Sequence, residues 1–162
     1  MTDSSSVGMT HTLMGLEGVS ISKKGVSVQI TAVLEPGRLR EPRDAHEALF
    51  VLSDRELQAL FPAELPRIVI THTRPEIITG ILRRIDGGPS RFQALGYRNH
   101  GGTLDVNGML YANGCSWAHL VQAAAQMLGR ARQTWLTQEE CAALDGFDSP
   151  AALFRENGQF MD

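Results

Sequence analysis

Between Pro66 and Ala112 the apolar residues fall into short runs cut apart by turn formers, and this pattern constrains the fold more than any other feature of the chain. The runs are RIVITHT, IITGILRRI, RFQALGYR, TLDV and MLYA; Gly87-Gly88-Pro89, His100-Gly101-Gly102 and Asn107-Gly108 separate them. Each run is predicted to be a strand. Asn-Gly accepts the positive φ angles of a two-residue turn, so Thr103 to Ala112 is predicted to be a hairpin. Upstream, Val19 and Ile21 and then Val26, Val28, Ile30, Ala32 and Leu34 alternate around Lys23-Lys24-Gly25, which predicts another. The charged stretch from Pro36 to Glu47 is expected to be a surface loop, and ALFVL at 48–52 a further strand.

Beyond Asn113-Gly114 the period changes. Trp117, Leu120, Val121, Ala124 and Leu128 recur at helical spacing with His119, Gln122 and Gln126 opposite, predicting an amphipathic helix capped by Ser116 and closed by Gly129. Ser53 with Glu56, and Thr137 with Glu140, have the spacing of capping boxes, so a short helix is expected after each. Ser149-Pro150 is expected to open a last short helix, at a position where the missing proline amide does no harm. Strands first and helices last is the order of an α+β domain: an antiparallel sheet or partly open barrel built from hairpins, with C-terminal helices packed on it. Residues 1–10 are small and polar and are expected to be a flexible tail, leaving 11–162 as one domain. Trp117 and Trp135 are read as packing anchors. Phe147, Leu153, Phe154 and Phe160 offer more apolar surface than such short helices bury alone, which calls for the sheet or a second copy of the chain against them.

With 43% apolar and 20% charged residues the chain has the composition of a folded domain rather than a disordered one. Its 2 cysteines, Cys115 and Cys141, are too few for a disulfide framework, which points to reduced thiols and a cytoplasmic setting. No apolar run approaches the length of a membrane span, and no leader pattern is present, so neither membrane nor secretion is expected. Phosphate-loop, dinucleotide, CxxC, HExxH and GxSxG patterns are all missing; no cofactor and no metal is expected.

The net charge of −3 conceals an asymmetry. Arg67, Arg74, Arg83, Arg84, Arg91 and Arg98 crowd one segment against only Glu76 and Asp86, and beyond Lys24 every fixed positive charge is a guanidinium. Guanidinium groups suit planar anions such as carboxylate and phosphate. Strand alternation puts Arg83 and Arg84 on opposite faces, and sets Arg91 on the same face as Tyr97, a ring able to stack on a base. Arg74, Arg83, Arg84, Arg91, Tyr97 and Arg98 are therefore the expected partner-binding residues.

The segment NGCSWAHLVQAAAQMLG places Cys115 just before a helix start, where unpaired amides lower a thiol's pKa. Through Cys115, Ser116, Leu120 and Val121 it resembles the nucleophile helix of NlpC/P60-type cysteine peptidases, over that short stretch alone. It departs from the pattern at Trp117, where a glycine is usual, and no histidine follows His119. The resemblance implies a cysteine hydrolase or transferase with Cys115 as nucleophile. His72 or His100 would then serve as base from a permuted position, with Asp105 orienting the ring.

The leading expectation is a small non-enzymatic regulatory or interaction protein. It would bind a protein partner or other acidic macromolecule through its Arg-rich β surface or its C-terminal helices. The alternatives are the cysteine enzyme and a nucleic-acid-binding protein.

Overall fold

The computed structural model describes the backbone of residues 8–12 and all of residues 26–98 and 104–154. The chain falls into two compact units, Met1–Arg98 and Asn99–Asp162.

In the first unit the strands are β1 (Gly8–Thr12), β2 (Ser27–Ile30), β3 (Arg67–Thr71) and β4 (Phe92–Gly96), and the helices are α1 (Asp54–Leu60) and α2 (Pro75–Ile81). The strands form one sheet in the order β2-β1-β3-β4, and every neighbouring pair is parallel. This overturns the expected antiparallel sheet or barrel. The cause lies in one segment whose apolar residues follow a helical rather than a strand period.

That segment is IITGILRRI, expected to be a strand. Pro75 starts a helix there, at a position where its lost amide costs nothing. Ile78, Ile81, Leu82 and Ile85 then fall at helical spacing and all meet the same apolar cluster, with Leu82 and Ile85 fully buried. The chain passes from α2 into a tight helical turn at Arg83–Ile85 and only then reaches β4. A helical crossover of this kind returns the chain in its original direction, which makes β3 and β4 parallel neighbours. The strand assignment of Arg83 and Arg84, and with it their opposed faces, is thereby replaced by a helical turn.

β3 lies inside the sheet, and its two faces are both covered: Ile68 and Val69, consecutive and so on opposite faces, are 0% and 4% exposed. Val69 joins Leu39, Leu57, Phe61, Leu82, Ile85 and Phe92 in the core. Arg67 opens the strand as a buried cation. Its guanidinium donates to the carbonyls of Ile85, Pro62, Leu65 and Phe61, while its Nε has no partner among the described residues. Burial pulls the Arg67 pKa below the ordinary arginine value.

The remaining expectations in this unit divide. Strands are found at Arg67–Thr71 and Phe92–Gly96 as predicted, and Ser53 with Glu56 forms the predicted capping box at α1. ALFVL is not a strand; Glu47–Leu49 is a helical turn held by Glu47, whose carboxylate accepts from Arg40 and Arg43. The predicted hairpin around Lys23 lies partly outside the described residues, and its second arm, β2, pairs parallel with β1.

The second unit contains α3 (Val106–Ala112), α4 (Trp117–Met127) and α5 (Gln138–Leu144), with a final helical turn at Pro150–Leu153. The predicted 103–112 hairpin is absent among the described residues because Asp105 caps a helix instead. Its carboxylate accepts from the Gly108 amide at 2.7 Å, so Asn107-Gly108 becomes the first turn of α3. The predicted α4 is present, with Gly129 at φ 62° after its end, and Thr137 with Glu140 forms the second capping box. The Trp117 indole donates to the Leu153 carbonyl at 2.7 Å, and the Tyr111 hydroxyl to that of Ala143 at 2.8 Å. These bonds tie the final turn to α4 and α3 to α5.

Candidate functional site at the carboxyl edge

Parallel strands deliver their carboxyl ends to one edge of a sheet. In the β3–β4 pair Thr71 stands opposite Gly96, so the segments leaving the two strands emerge side by side. From β3 comes His72-Thr73-Arg74, leading into α2; from β4 comes Tyr97-Arg98. His72, Thr73, Arg74 and Arg98 are exposed, and Tyr97 is 37% exposed. The edge thus gathers guanidinium, imidazole and hydroxyl groups, with Glu76 as the acidic group of the first turn of α2.

The turn after β3 is internally braced. The Thr71 hydroxyl accepts from the Thr73 amide at 3.2 Å and lies 3.0 Å from the Thr73 hydroxyl. This braced turn runs directly over Gly96. A Cβ there would sit 2.4 Å from the Thr73 carbonyl oxygen, 2.7 Å from the Thr71 methyl and 3.2 Å from the Pro75 ring.

The other expected binding arginines lie elsewhere. Arg91 precedes β4, at the opposite end of the strand from Arg98, and donates to the Ala63 carbonyl at 3.4 Å. Arg84 pairs with Asp54 at 2.8 Å and donates to the Arg40 carbonyl at 3.2 Å. Arg83 sits exposed in the turn after α2. Of the six expected residues, then, Arg74, Tyr97 and Arg98 share the carboxyl edge. Thr71, Thr73 and Gly96 were not singled out from the sequence, because their importance depends on a parallel register that strand-like runs do not disclose.

Of the residues of the cysteine hypothesis, Cys115 and Asp105 belong to the second unit. Cys115 is 6% exposed, and its thiol donates to the Asn113 carbonyl at 3.5 Å. Beside it the Ser116 hydroxyl lies 2.7 Å from His119 Nδ1, and the His119 ring leans on Tyr111 with 5.7 Å between centroids. The Ser116 hydroxyl is thereby engaged with His119 rather than with the helix amides. Asp105 caps α3, His72 belongs to the first unit, and His100 lies outside the described residues.

Cys141 is buried, and no disulfide joins it to Cys115. Among the described residues no group of three or more His, Cys, Asp or Glu side chains is placed to hold a metal ion. Nor is any helix among them long and apolar enough to cross a membrane. No family model matches the chain, and no curated protein matches it either.

Proposed function

We propose that this chain is a non-enzymatic interaction domain that holds an acidic surface of a partner protein at the carboxyl edge of its parallel sheet. The observation that carries the proposal is the register of Thr71 with Gly96, which sets His72, Thr73 and Arg74 beside Tyr97 and Arg98. Two lines of physical chemistry support it. Open parallel sheets take ligands outside the carboxyl ends of their strands, at the point where the strand order reverses; in the order β2-β1-β3-β4 that point lies between β1 and β3, so the segment after β3 that bears His72 and Arg74 borders it. Guanidinium forks and hydroxyls are the donors best matched to carboxylates. A protein partner is favoured over nucleic acid because a dedicated phosphate binder carries a strongly basic domain, whereas the sequence pI here is about 5.9. We take the setting to be cytoplasmic, which the buried, unbridged thiols support.

Titration with poly-L-glutamate tests the proposal. Binding should weaken as salt rises, weaken in Arg74→Gln and in Arg98→Gln, and vanish in the double variant. Arg43→Gln, which alters a guanidinium paired with Glu47, should bind as the unaltered chain does. Equal binding by all variants would overturn the assignment of the edge. A marked preference for duplex DNA over polyglutamate would overturn the choice of partner.

A further inference from the structure

Given that the carboxyl edge is the binding surface proposed above, we infer that Gly96 is a positioning residue for it, acting through the turn that bears His72 and Arg74. Gly96 is buried at the last position of β4. Its role is one of space and not of backbone conformation. Of the three neighbours a Cβ would meet, the nearest is the Thr73 carbonyl oxygen at 2.4 Å, a backbone atom that cannot rotate out of the way. The Thr71 methyl follows at 2.7 Å, and it too is fixed, because the Thr71 hydroxyl is engaged with Thr73. Any side chain at 96 must therefore displace either the end of β4 or the braced turn above it.

Both displacements have the same effect on the edge. Arg74 lies on one side of this contact and Arg98 on the other, two residues past Gly96. Moving the turn away from β4 separates the groups that the Thr71–Gly96 register brings together. Gly80 gives the contrast: it lies in α2, and a Cβ there would meet nothing within 4 Å. Gly96 is thus bound to its neighbours by packing in a way that Gly80 is not.

The test compares Gly96→Ala with Gly80→Ala and Leu57→Ala in the full chain. It reads polyglutamate affinity, the His72 imidazole resonances and the thermal midpoint together. Gly96→Ala should lower the affinity by roughly tenfold, the equivalent of one charge-assisted hydrogen bond, and shift the His72 resonances. Leu57→Ala removes a core side chain distant in sequence from the edge; it should lower the midpoint while leaving both affinity and resonances in place. Gly80→Ala should change neither. Adding Thr71→Ser to Gly96→Ala removes one of the contacts and keeps the hydroxyl, so it should restore part of the affinity, and it carries the same comparison if the single variant does not fold. Unmoved His72 resonances in Gly96→Ala would overturn the inference whether or not polyglutamate binds. Failure of the unaltered chain to bind polyglutamate would overturn the proposed function by itself.

Discussion

The Arg67 guanidinium donates to the carbonyl of Ile85, joining the first residue of β3 to the last residue of the helical turn that follows α2. The same group satisfies carbonyls at Pro62 and Leu65, so one buried cation closes both ends of the connections around the inner strand. Arg67→Ala should be the most damaging single change in this unit. It leaves several carbonyls without donors and opens a void, with a stability loss of about 3 to 5 kcal/mol. Arg67→Met fills the volume and leaves only the orphaned carbonyls, so a smaller loss is expected. Urea denaturation of both variants checks the ordering.

Glu47 predicts how the first unit responds to acid. Hydrogen bonds from Arg40 and Arg43 hold its carboxyl well below its ordinary value of 4.5. A carboxylate with a depressed folded pKa contributes stability that is fully present above its unfolded pKa and is lost as pH falls toward the folded one. Stability should therefore decline below about pH 4.5, and Glu47→Gln should flatten that decline while lowering stability near neutrality. Denaturation midpoints across the acid range read both effects.

Asp105 distinguishes a cap from a catalytic carboxylate. Asparagine accepts the same amide proton, so Asp105→Asn should hold stability to within a few tenths of a kcal/mol, whereas Asp105→Ala should cost about 1. A large loss in Asp105→Asn would show that the negative charge itself is needed.

Cys115 is expected to react slowly with a thiol reagent in the folded chain and rapidly once unfolded, because it is 6% exposed and hydrogen-bonded to the Asn113 carbonyl. Rapid labelling near neutral pH, with a thiolate titration well below about 8.5, would instead restore the cysteine-nucleophile hypothesis.

What could be read from the sequence was whatever local chemistry decides. Both capping boxes, the amphipathic α4 and the strands at Arg67–Thr71 and Phe92–Gly96 follow from patterns a few residues long. What could not be read was whatever depends on a competing local preference. Asn107-Gly108 is a good hairpin turn until Asp105 supplies a helix cap, and the β-branched isoleucines after Pro75 favour a strand by composition until Pro75 starts a helix that packs Ile78 and Ile81 against the core at helical spacing. Once that second segment is helical, the sheet direction reverses and the arginines are redistributed. Arg74 and Arg98 are candidates by charge alone, and only the parallel register puts them at the same edge of the sheet.

The inner strand β3 is buried on both faces, so neither face of its middle can evolve freely. The ground left open to substitution is the rim, where two segments encoded apart in the chain emerge side by side from paired strands. Under the proposed function, either loop can be exchanged to alter the partner bound, as long as the replacement leaves a residue without a side chain beneath the turn.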